Sequence, residues 1–149
     1  VLASPNFLYL AEPAPADATG PRPLTDHELA SRLSYFLWSS MPDEALQKLA
    51  ESGKLRDKAT LAKEVDRMLA DPKADALVKN FAGQWLGLRD VGANPPAPDL
   101  YPQYDRHLET SMVRESEAFF REILRNDLSA LNFVKSDFVT INERLARFY

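Results

Sequence analysis

Hydrophobic positions return every three to four residues along most of this chain, and that spacing predicts a succession of amphipathic helices. The first well-marked helix begins at Thr25, where Thr25 and Glu28 form the two ends of a capping box. Leu29, Ala30, Leu33, Phe36 and Leu37 then share a face, with Arg32, Tyr35 and Trp38 towards its flank or far side. It ends near Ser39. Pro42 favours a restart, Asp43 and Glu44 suit the positive end of a short second helix, and Gly53 suits its C-terminal stop. Asp57 is the expected N-cap of a third helix carrying Leu61, Ala62, Val65, Met68 and Leu69, stopped by Asp71-Pro72. In the fourth, Leu77, Val78, Phe81, Ala82, Trp85 and Leu88 form a wide apolar stripe in which Trp85 reads as core.

A long helix over roughly Tyr104 to Asn126 buries Leu108, Met112, Phe119, Phe120, Ile123 and Leu124. Phe138 to Ile141 reads as a brief extended segment, and Thr140 with Glu143 as the capping box of a last helix. The apolar start, Val1 to Leu10, reads as the end of a helix. No stretch alternates long enough to support a sheet, so the predicted fold is an all-α bundle of about six helices.

Prolines divide the bundle. Pro13, Pro15, Pro21 and Pro23 mark one connecting loop and Pro95, Pro96, Pro98 and Pro102 a second, which together hold eight of the eleven prolines. The second loop exceeds the usual helix connection, and Leu100, Tyr101 and Tyr104 are its expected apolar anchors. A chain of 149 residues, 45% of them hydrophobic, is long enough to fold around its own core. The net charge of −4 opposes a nucleic-acid or anionic-membrane surface, and no apolar run approaches the ~20 residues of a membrane span. Without cysteine the chain holds no disulfide, thiolate zinc site, iron–sulfur cluster or covalently attached c-type haem. A start at Val1, with neither Met nor an export segment, reads as a processed product or excised fragment.

Chemical signatures are sparse. With only His27 and His107 there is no H-E-x-x-H and no Glu followed three residues later by His; nor is there a P-loop, a G-x-S-x-G or a G-x-G-x-x-G. The expected cofactor and metal complement of this chain is therefore none. Glu109 and Glu115 border the apolar arc of the long helix; a carboxylate there is either a general acid of raised pKa or, more commonly, a dipole-favoured or ion-paired side chain. Arg32 and Arg114 sit beside buried faces, as register-fixing ion pairs or as groups that hold an anionic ligand. Trp38, at a helix end beside two serines, is either core or a contact for a partner or a sugar ring. Arg32, Trp38, Glu109, Arg114 and Glu115 form the candidate interaction or interdomain set. No residue is assigned a catalytic role.

Five blocks carry a resemblance: SPNFLYL at 4–10, LASRLSYFLWSSMPDEAL at 29–46, RMLADP at 67–72, NFAGQWLGLRD at 80–90 and NERLARFY at 142–149. Together they resemble planctomycete-type cytochrome-c-associated multidomain proteins, whose helical domains have no known function. The resemblance implies a periplasmic or secreted parent polypeptide with a c-type haem elsewhere, and neighbouring domains of that polypeptide as partners. It also implies a small helical domain over 1–70 and the first part of a larger one over 71–149, or one continuous unit. Two functions follow from it: a non-catalytic helical scaffold or docking module, or part of an extracytoplasmic enzyme with an interdomain site.

Overall fold

The computed structural model describes residues 20–149. The predicted helix end at Val1–Leu10 and the start of the first proline-rich loop lie outside them. Among the described residues there are six helices and no strand: α1 (Asp26–Trp38), α2 (Glu44–Glu51), α3 (Lys58–Ala70), a composite α4, α5 (Arg106–Arg125) and α6 (Glu143–Phe148). In α4, α-helical Asp75–Leu77 runs into a π-helical turn, Val78–Ala82, and then into α-helical Gly83–Trp85. The fold is all-α, as the periodicity predicts. Two compact units share the described residues: one holds 20–35 with Ser40–Glu64, the other Phe36–Ser39 with Val65–Tyr149.

In the first unit the caps lie where the sequence puts them. The Thr25 backbone N–H donates to Glu28 Oε2 at 2.8 Å and the Glu28 N–H to Thr25 Oγ1 at 3.2 Å, closing the capping box. Asp43 accepts from Leu46 N–H at 2.9 Å, Asp57 from Thr60 N–H at 2.9 Å, and Gly53 ends its turn at φ +65°. The buried line of α1 differs from the expected one: it runs through Asp26, Ala30, Ser34, Leu37 and Trp38, while Phe36 is 59% exposed. Two polar residues hide this line from a hydrophobicity count. Ser34 is buried because its hydroxyl donates to Ser40 O at 2.8 Å, and Asp26 because its carboxylate accepts from Leu55 N–H at 2.9 Å and from the Arg56 guanidinium. Burial pushes the Asp26 carboxyl up, but those donors outweigh it and hold it below the usual value.

The second unit packs α4 on α5 around Val78, Ala82 and Phe120, with Leu124 and Phe133 against them. Arg121 on α5 holds Asp75 at the start of α4 through two hydrogen bonds, 2.7 and 3.1 Å. The π-helical turn has one residue more than an α turn, so positions after its start slip around the axis. Leu77, Val78 and Ala82 stay buried, whereas Phe81 and Trp85 come to the surface at 42% and 53% exposure. Trp85, read as core from periodicity, is thus an exposed residue.

Two further expectations are corrected. The cap of α6 is Asn142, whose Oδ1 accepts from Leu145 N–H at 2.9 Å, while Thr140 donates instead to Glu115 O at 2.9 Å. The second proline-rich loop is anchored by polar contacts rather than by Leu100 and Tyr101, which are 75% and 51% exposed. Arg144 donates to Gln103 O at 2.6 Å, and the Glu109 carboxylate lies beside the Tyr104 phenol and against Gly92, whose φ is +89°.

Candidate docking site

An aromatic chain crosses the second unit from α1 to the C-terminal segment. Phe36 meets Phe81 edge-on at 6.3 Å between ring centroids; Phe81 touches Trp85 at 5.8 Å and Phe120 at 5.9 Å. Trp85 and Phe120 both reach Phe133, at 5.3 and 5.6 Å, and Phe119 continues the chain to Phe133 at 6.0 Å and Phe138 at 5.0 Å. The middle of this chain, at Phe120, is core, while the Phe36 end, with Phe81 and Trp85, is open to solvent. A polar border flanks the open end: Asn80 donates to Ser39 Oγ at 2.7 Å and accepts from Arg89 at 3.2 Å. An apolar centre of exposed rings with a polar rim has the composition of a protein–protein contact.

The candidate residues fall into different places. Arg32 belongs to the first unit and the other four to the second. Trp38 is 3% exposed, its Nε1–H donates to Met68 O at 2.9 Å, and Lys73 and Arg67 lie over its ring at 4.6 and 5.4 Å. Its ring face is therefore covered by its own unit. Glu109 is engaged in fixing the proline-rich loop: burial raises the pKa of the Tyr104 phenol, and the Glu109 carboxylate beside it raises it further.

Arg114 and Glu115 line one groove together. It is open, about 330 Å³ in volume, and shared with Ser111, Ala118, Thr140, Ile141 and Asn142. It adjoins a second groove of about 270 Å³ where Glu115 and Thr140 meet Leu86, Phe119, Phe133 and Val139. Glu115 Oε2 accepts from the Tyr149 hydroxyl at 2.8 Å, which raises that phenol's pKa, with burial adding to the shift. Asn142 donates to Ser111 Oγ at 2.9 Å, and Ser111 to His107 O at 2.7 Å, so the polar floor of the groove is already bonded. Among the described residues no carboxylate lies within ion-pair distance of Arg114, and no group of His, Asp and Glu side chains is placed to hold a metal. No helix among them is long and apolar enough to cross a membrane.

The residues that sequence reasoning missed are Phe36, Phe81 and Trp85. Their signal was present as large aromatics at 36, 81 and 85, but an α-helical period assigned them inward. Residues 24–149 match the family model PSD4, described as a protein of unknown function (DUF1592). No curated protein and no solved structure matches the chain.

Proposed function

We propose, for a chain that belongs to the PSD4 family of proteins of unknown function (DUF1592), that it is a non-catalytic helical docking module. Its parent in this proposal is an exported polypeptide with a c-type haem domain, and the contact is the open end of the aromatic chain. The observation that carries this is the exposure of Phe36, Phe81 and Trp85 together, at 59%, 42% and 53%. Three touching rings left in water are an unsatisfied apolar surface, and Ser39, Asn80 and Arg89 supply a rim able to bond a partner's polar edge. The export and the haem-bearing parent rest on the resemblance of the five sequence blocks. The enzyme reading has less support, because Arg32 lies in the other compact unit and Glu109 is turned to the Tyr104 phenol and Gly92, away from the groove that Arg114 and Glu115 line.

The test separates binding from folding. Phe36→Ala and Trp85→Ala remove exposed rings, so each should lower affinity for the parent's haem domain by about tenfold or more, as central aromatic contacts do, with a small change in Tm. Affinity equal to wild type in both variants would remove the aromatic face as the docking surface.

A further inference from the structure

The long helix α5 carries a half-buried carboxylate that no cation meets. Glu115 Oε2 accepts from the neutral Tyr149 hydroxyl at 2.8 Å, and among the described residues Oε1 has no donor and no Lys, Arg or His nitrogen lies within ion-pair distance. Arg114 does not answer it, because neighbouring residues of a helix point away from each other. A carboxylate that has given up part of its hydration without gaining an ion pair is a ready acceptor for a cation. Beside it lies the groove of about 270 Å³ walled by Leu86, Phe119, Phe133 and Val139. The other polar side chains of its lining are spent: the Ser116 hydroxyl donates to Met112 O at 3.4 Å and the Thr140 hydroxyl to Glu115 O at 2.9 Å. Among the described residues Glu115 is the one charged side chain lining this apolar groove.

We propose that this groove binds an aralkylamine, with its aromatic ring against Phe119 and Phe133 and its ammonium donating to Glu115 Oε1. Room is sufficient, since apolar protein cavities of roughly 150 Å³ already hold benzene. Phe119 and Phe133 meet at 6.0 Å with their planes 75° apart, so an incoming ring finds two steep aromatic walls. The helix sets the distance between ring and charge. Glu115 and Phe119 are four residues apart on one face of α5, their side chains starting about 5–6 Å from each other, a step that a short alkyl spacer between ring and ammonium covers. Each half of the ligand needs the other: a ring alone leaves the carboxylate without a cation, and an ammonium alone gains little from a solvated ion pair. Glu115 repels an anion of the same shape. The site is separate from the open aromatic face, because Phe36, Phe81 and Trp85 do not line the groove.

The probe is phenethylamine, titrated as its hydrochloride into the isotopically labelled chain at neutral pH and followed by amide resonances. The amides of Glu115, Phe119 and Thr140 should shift saturably at millimolar probe, the range open to so small a ligand. Ethylamine, which lacks the ring, and hydrocinnamate, which puts a carboxylate in place of the ammonium, should each bind at least about tenfold more weakly. These two comparison ligands test the pairing in the unaltered chain. Glu115→Gln keeps an acceptor for the Tyr149 hydroxyl, so it should hold its Tm yet bind phenethylamine about tenfold more weakly. Phe36→Ala, which strips a ring from the docking face, should leave this binding intact. Absence of a saturable response up to tens of millimolar phenethylamine, or equal binding of hydrocinnamate or by Glu115→Gln, would overturn the proposal.

Discussion

At the scale of single residues, Trp38 takes the core alternative that its helix-end position leaves open and Trp85 leaves the core that periodicity assigns it, through a hydrogen bond in one case and a backbone turn in the other. The indole N–H of Trp38 finds Met68 O, which lets a helix-end tryptophan sit inside. Trp38→Phe keeps most of the packing but leaves Met68 O only the Asp71 N–H at 3.3 Å, so chemical denaturation should show a loss of about 0.5–1.5 kcal/mol, the net worth of one hydrogen bond. Gly92 is the second decisive residue. At φ +89° it occupies backbone space that a side chain rarely enters, and a Cβ there would stand on the Glu109 carboxylate. Gly92→Ala should therefore destabilise by about 1–3 kcal/mol, and adding Glu109→Ala should recover only the steric part. Full stability in Gly92→Ala, measured by urea unfolding, would contradict this account of the proline-rich loop.

At the scale of elements, helix starts were legible because each is written in local chemistry: Thr25 with Glu28, Asp43 before α2, Asp57 before α3. The last cap was misassigned because Thr140 and Asn142 are both competent. Only the fold reveals that Thr140 is drawn to Glu115 O, leaving Asn142 for Leu145. Faces were less legible than starts. In α1 the buried line passes through Asp26 and Ser34, polar residues whose partners lie six or more residues away. In α4 the π-helical turn breaks the period on which the prediction of an inward Trp85 depends. Of the docking face only the presence of large aromatics was legible: Phe36 lies off a buried line that Asp26 and Ser34 hide, and Phe81 and Trp85 follow the π-helical turn. The pair between Arg121 and Asp75 ties α4 to α5, and Arg121→Ala should lower the unfolding midpoint by the equivalent of about 1–2 kcal/mol.

At the scale of the whole molecule, the depressed carboxylates set the response to acid. Glu28 is held to about 2, first by the Arg22 guanidinium and then by the Thr25 N–H, and Asp26, Asp57, Asp75 and Asp105 are also lowered. Groups whose folded pKa lies below the unfolded value contribute stability above the unfolded value and lose it as they protonate. Glu28's share is thus present above 4.5 and disappears as pH falls towards 2. Urea midpoints taken across that range should fall with pH, and a flat profile would contradict the pairing. The docking reading belongs to this scale too, since it concerns what the exposed rings meet. Its most direct test is a calorimetric titration of the chain with the c-type haem domain proposed for its parent polypeptide, at low and high salt. Saturable binding that survives high salt, as an apolar contact should, and that weakens in Phe36→Ala and Trp85→Ala, is the predicted result. No heat at high micromolar concentration would contradict it.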